Sequence, residues 1–184
     1  MNLKEFLEQN KIFDKFKCDY YLSQKYHATT HRLKIAYENA KLAKCFFNIR
    51  YFYLAEVLYR DSIINYMGCF KKSKLLLKEI NIYNIIKDEK LIDLHKRVER
   101  SRDKIIAHQD KVNELKYEIE VKINNNGIVE KFEFPFLTTI GLNFEEDLEN
   151  FIKLIKEIYN YLDEERKKHD EDFIKRINEC IKKT

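Results

Sequence analysis

Hydrophobic residues recur at helical spacing along most of the chain, and at alternate positions in one short stretch. Leu3, Phe6, Leu7, Phe13, Phe16 and Tyr20 fall on one helical face and predict a helix over residues 2–24. The pattern lapses at HATTH (27–31), where Thr29 or Thr30 suits the cap of a following helix. Leu33, Ala36, Tyr37, Ala40 and Ala43 then make a narrow stripe of small residues suited to close helix packing, with a break near Asn48. YFYLAEVLYRDSIINYMGCF (51–70) is the most hydrophobic stretch and predicts the central helix, loosened toward Gly68. Residues 73–87 read as a shorter helix or helix pair. From Asp88 the stripe Leu91, Leu94, Val98 and Ile105 predicts a helix ending near Ala107.

The period then changes. LKYEIEVKI (115–123) and IVEKFEF (128–134) alternate apolar and polar residues on either side of NNNG, which predicts a β-hairpin closed by an Asn-Gly turn. Pro135 ends the second strand. Asn143, with Glu146 three residues on, has the form of a capping box opening a last helix. Its stripe is Leu148, Phe151, Ile152, Ile155, Tyr159 and Leu162. After the charged run DEERKKHDED, the residues Phe173, Ile174, Ile177 and Ile181 restore the period, either as the same helix continued or as a separate one. The expected architecture is a mainly α-helical bundle with an inserted hairpin (115–134) before a long C-terminal helix. Residues 1–165 form the domain and 166–184 a helical extension.

Composition agrees with long helices: 45% of residues are hydrophobic and 36% charged, with one proline and three glycines in 184 residues. Net charge is +4, unevenly spread. Residues 1–111 carry 23 Lys/Arg against 14 Asp/Glu, and residues 112–184 carry 12 against 17. The positive N-terminal part permits a polyanion partner, although solvated helix faces account for the charge equally well. The N-terminus has no signal-peptide pattern, no apolar run is long enough for a membrane span, and the four cysteines show no metal-like spacing. A cytoplasmic protein with four reduced, buried thiols is expected.

One polar position interrupts the apolar logic. With Leu91 set at zero and about 100° per residue, Leu94, Val98 and Ile105 fall at roughly 300°, 340° and 320°, and Arg102 at about 20°. An arginine on the core side needs a carboxylate, a phosphate or a cleft, unless its stem packs while its head reaches water. On the central helix, Asp61 shares a face with Leu54, Leu58 and Asn65, so an Arg102–Asp61 pair is one way to hold it. His108 follows six residues later, about 9 Å along the axis and roughly 120° around it. The two converge only if the helix ends or bulges near Ala107. Histidine exchanges protons near neutrality and arginine grips a phosphate, so the two suffice for RNA cleavage through the RNA's own 2′-hydroxyl.

RDKIIAH (102–108), within SRDKIIAHQDK, resembles the Arg–polar–several residues–His motif of the HEPN superfamily, especially its abortive-phage-infection U-type branch. The resemblance spans residues 1 to about 165, with only 101–111 distinctive. It implies a HEPN-like helical bundle that forms a homodimer, with two Arg–His motifs lining one cleft. It also implies a metal-independent endoribonuclease of the toxin or phage-defence type, without cofactor, whose partners are RNA and an antitoxin or defence protein. By that resemblance Arg102 contacts the scissile phosphate, His108 is the acid–base group, and Asp103 is the polar residue that orients one of them. Some relatives carry a tyrosine two residues after the histidine, used for regulatory modification; here that position is Asp110.

Arg97, Arg100 and His95 lie beside the motif as candidate substrate contacts, against plainer surface or core roles. His27 and His31 have the spacing of a zinc pair but lack the glutamate of HExxH, and read as surface or capping residues. Tyr51, Tyr53, Tyr59 and Tyr66 read as core and dimer surface rather than as a base-stacking platform. The alternative to an enzyme is a non-catalytic HEPN-like module binding RNA or protein. A purely structural helical dimer is the third possibility.

Overall fold

The fold is seen in a computed structural model that describes residues 1–70, 77, 80–109, 120–123, 129–133 and 144–182, with side chains described outside 102–145. It is mainly α-helical. Helix α1 (Leu3–Gln9) opens on a capping box in which Asn2 and Glu5 satisfy each other's backbone N–H. The single helix expected over 2–24 is broken after α1. The Ile12 N–H bonds to the Leu7 carbonyl and the Lys11 N–H to that of Glu8, and Lys11 adopts a φ of 56°. This is a Schellman turn, and it is hard to see in sequence because a lysine holds the left-handed position that glycine usually takes.

Helix α2 (Phe13–Asn48) then runs for 36 residues. HATTH does not interrupt it. The Thr29 and Thr30 hydroxyls donate to the Lys25 and Tyr26 carbonyls one turn back, at 2.8 and 2.9 Å, and so are satisfied inside the helix. A second Schellman turn closes α2: the Arg50 N–H bonds to the Phe47 carbonyl, the Tyr51 N–H to that of Phe46, and Arg50 has a φ of 64°. The hydrophobic contact typical of such turns is the edge-on pair of Phe46 and Tyr51.

Helix α3 (Phe52–Gly68) returns antiparallel to α2, the single turn α4 (Ile82–Ile85) follows, and α5 (Glu89–Gln109) leads to the strands β1 (Glu120–Ile123) and β2 (Val129–Glu133). These pair antiparallel, Val121 opposite Phe132, with an irregularity after Lys122. The NNNG turn and the outer parts of the two alternating runs lie outside the described residues, as does Asn143 of the expected capping box. Helix α6 (Phe144–Ile181) completes the chain, and it continues unbroken through the charged stretch 163–172.

Four helices, α2, α3, α5 and α6, enclose the main core. Ala36, Ala40 and Ala43 on α2 are fully buried, and this small-residue stripe lets α3 approach until Ser62 donates to the Ala36 carbonyl at 2.5 Å. Leu91, Leu94 and Val98 of α5 meet Phe151, Leu154, Ile155 and Ile158 of α6 in the same core. The buried face of α3 carries Ala55, Tyr59, Ser62, Ile63 and Tyr66, not the expected Leu54–Leu58–Asp61–Asn65 face. The stretch is apolar on nearly every side, so its period alone cannot tell inside from outside.

The N-terminal half of α2 and the C-terminal half of α6 extend together beyond this bundle. There α1 folds back, and Leu7, Ile12, Phe16, Phe173 and Ile177 make a second, smaller core. Residues 166–181 are thus one wall of a helical arm. Among the described residues no helix is long and apolar enough to cross a membrane. All four cysteines are free, but only Cys69 is fully buried, its thiol pushed up to about 12 by burial, while Cys18 and Cys45 are exposed. The expectation of four buried thiols is corrected accordingly.

Candidate functional site

Helix α5 carries every candidate residue except Asp61. It starts on Asp88, whose carboxylate accepts the Lys90 N–H at 3.0 Å and faces the Lys153 ammonium at 3.3 Å. The Lys90 N–H, then Lys153, hold that carboxyl below its ordinary range. Leu91, Leu94, His95, Val98 and Ser101 form the buried face. The position of Arg102 is two turns beyond His95 and only about 20° from it around the axis.

His95 belongs to the core and not to a substrate-lining surface. It is 8% exposed, ringed by Tyr66 and Phe70, and its Nδ1 lies 2.8 Å from the Tyr66 hydroxyl. Burial lowers the imidazole to about 4, with a further push from Lys96. Burial also holds the Tyr66 phenol well above its usual value. Both groups are therefore neutral and share one hydrogen bond.

Arg97 is engaged within the protein. Its Nη1 and Nη2 donate to both oxygens of Asp147 on α6 at 2.6 and 2.8 Å, and its Nε donates to Asp93 at 3.0 Å. Those bonds, Asp147 first, raise the guanidinium further above its usual range. Arg97, expected as a substrate contact, forms a joint between α5 and α6. Asp147 is 4% exposed and shares a helical face with Phe151, Leu154 and Ile158. A carboxylate in an apolar stripe is the same sequence signal as an arginine in one, and that signal, read on α6, marks Asp147 as the residue that sequence reasoning missed. Arg100 is exposed.

Asp61 is exposed too. Its Oδ2 accepts from Asn39 at 2.5 Å and from Asn65 at 2.8 Å. The inner-face position from which a pair with Arg102 follows is therefore a surface position. Arg102, Asp103 and His108 all lie within α5, and their side chains fall outside the described residues. The helix does not end at Ala107 but continues to Gln109. The positions of Arg102 and His108 thus stay about 9 Å apart along the axis and about 120° apart around it.

Helix levels locate the motif in the bundle. Helices α5 and α6 run antiparallel, with Asp88 beside Lys153 and Arg97 beside Asp147, so the first residue of α6 stands near Arg100. Helices α2 and α6 are also antiparallel, Lys44 paired with Glu149, so α2 ends near the level at which α6 begins. The last two turns of α5, with the motif, therefore extend past the end of α2 and the starts of α3 and α6 among the described elements. Tyr66 faces His95, and Tyr59, two turns nearer the α2–α3 corner, interacts with Asp147 and Arg97. The α2–α3 corner is thus at the end of the bundle from which the motif projects.

The His27 Nε2 lies 3.1 Å from Asp170 on α6, which also accepts from Ser23 at 2.7 Å. Compared with known proteins, the chain matches no family model, no curated protein and no solved structure.

Proposed function

We propose that this protein is an endoribonuclease of HEPN type, in which Arg102 of one copy and His108 of a second act on the same phosphate. The supporting observation is the place of RDKIIAH, on two overhanging turns at the end of a four-helix bundle. Because α5 runs unbroken through His108, one copy presents the two positions on different sides of the helix. Two such helix ends, brought together by a twofold axis, bring unlike residues of the two motifs face to face. In the proposed reaction His108 takes the proton of the ribose 2′-hydroxyl, the 2′-oxygen attacks the adjacent phosphorus, and the bond to the 5′-oxygen breaks. That oxygen leaves with a proton, giving a 2′,3′-cyclic phosphate and a 5′-hydroxyl end. Arg102 holds the phosphate and offsets the charge of the phosphorane. Asp103, next to Arg102 in sequence, is assigned the orienting role.

The test is cleavage of total RNA by the purified protein in EDTA. Arg102→Ala and His108→Ala should each lower the rate by about 10²–10⁴-fold, the range of general acid–base and charge-stabilising groups. Mixing the two inactive variants should restore roughly a quarter of wild-type activity, since half of the random dimers are mixed and each holds one intact site. Inactive variants with no recovery on mixing would place the site within one chain. The same 120° separation favours a second reading, a non-catalytic RNA-binding module, which predicts binding unchanged by His108→Ala and no cleavage by any form.

A further inference from the structure

The corner between α2 and α3 is built unlike the rest of the surface. Tyr59 and Tyr66 are core residues, 1% and 0% exposed, but Tyr51 is 65% and Tyr53 81% exposed. Arg50, Tyr51 and Tyr53 follow one another on the Schellman turn and the first turn of α3, so the backbone sets their spacing. Phe46 sets the tilt of the Tyr51 ring, meeting it edge-on at 6.4 Å between centroids. Exposed Ile49, Leu54 and Val57 surround the two rings with apolar surface. Glu56 is engaged by Arg60 and Glu149 by Lys44, and the exposed Arg50 brings a positive charge to the corner. This corner stands at the same end of the bundle as the motif.

We propose that Arg50, Tyr51 and Tyr53 form a stacking platform for single-stranded RNA, which leads the strand to the motif at the end of α5. Two exposed aromatic rings beside a cation are what unpaired bases and their phosphates require: each base offers a π-face to a ring, and the backbone charge meets the arginine. A duplex keeps its bases stacked on one another and gains little from the rings, so the platform selects single strands. The inference rests on RNA being the substrate, but it concerns binding, and binding can be measured where no cleavage occurs.

The experiment uses full-length His108→Ala protein, which leaves the oligonucleotide intact, and the fluorescence anisotropy of a labelled twelve-nucleotide uridine RNA. Adding Tyr51→Ala and Tyr53→Ala together should weaken binding roughly 10- to 100-fold or more, with the helical circular dichroism retained at the assay temperature although the Phe46 contact is lost. Tyr53→Phe should retain the affinity and Tyr53→Leu should lose it, since a ring stacks and an aliphatic chain does not. Arg50→Gln should lower the slope of log affinity against log salt by about one. A duplex of the same length should bind more weakly than the single strand. Unchanged binding in the double alanine variant overturns the platform, even if the wild type cleaves RNA as proposed above. Equal affinity of the phenylalanine and leucine variants, with a shift toward monomer in sedimentation, also overturns it and makes the corner a contact between copies. Tyrosine-dependent binding in a protein that never cleaves leaves the platform standing and removes the nuclease.

Discussion

Arg97 shows how much a single polar side chain decides here. Both of its terminal nitrogens are spent on Asp147, whose side chain is only 6% exposed while that of Arg97 is 34% exposed. Removing the arginine leaves a buried carboxylate without its bidentate partner. Arg97→Ala should destabilise the fold by about 2 kcal/mol, less than the loss for a fully buried pair because part of the guanidinium is solvated. Urea unfolding measures it, and a variant carrying both Arg97→Asp and Asp147→Arg should recover part of the loss. A cost no larger than that of Arg100→Ala, on the exposed side of the same helix, would show that the joint contributes little. Sequence pattern points to this kind of anomaly at Arg102 and Asp61, whereas the pair that the described residues show is Arg97 with Asp147. Asp147 sits on the clearly amphipathic α6, where the signal was open to reading.

At the level of elements, the seam between α3 and α5 depends on pH. His95 is neutral in the fold, lowered to about 4, whereas an unfolded chain returns it to its ordinary value of 6.5. Between those values the unfolded state binds the extra proton, so stability rises with pH through this window and is flat above it. The stake is about 3 kcal/mol between pH 7 and pH 4. His95→Asn, which can still accept from Tyr66, should lose that much less than the wild type over the same range in chemical denaturation. Parallel pH profiles for the two proteins would mean that the imidazole already carries its proton in the fold. Elements were legible where one face is apolar and the other charged, as in α5 and α6. They were illegible where helix ends rest on backbone geometry, since Lys11 and Arg50 occupy the left-handed turns without the glycine that announces them. The run through HATTH was misread for the opposite reason, because threonines that cap helices elsewhere are satisfied here by carbonyls a turn back.

For the whole molecule, the two cores lie along one pair of long helices. A chain ending at residue 165 removes Phe173 and Ile177 from the smaller core, and with them the Arg176–Asp19 pair and both bonds to Asp170. In such a chain, hydrogen exchange should quicken in α1 and residues 13–30, by at least about tenfold, while α3 and residues 89–101 keep their protection. Uniform loss of protection would mean that bundle and arm unfold as a unit. The mainly helical class and the long last helix could be read from period and composition alone. The arm could not, because its core joins residues more than 150 positions apart, and no local pattern records such a meeting.

The ties between α2 and α6 have a consequence for how this chain can change. Lys44 meets Glu149, Ser23 and His27 meet Asp170, and Asp19 meets Arg176. These contacts fall at fixed steps along two antiparallel rods, like the teeth of two racks. One residue added to α6 between Leu162 and Asp170 turns everything beyond it by about 100° and unmeshes the arm while leaving the bundle core in place. About two turns added to both rods at matching levels restore the mesh to within about 20°. The lengths of α2 and α6 are therefore coupled, and either can drift only if the other follows.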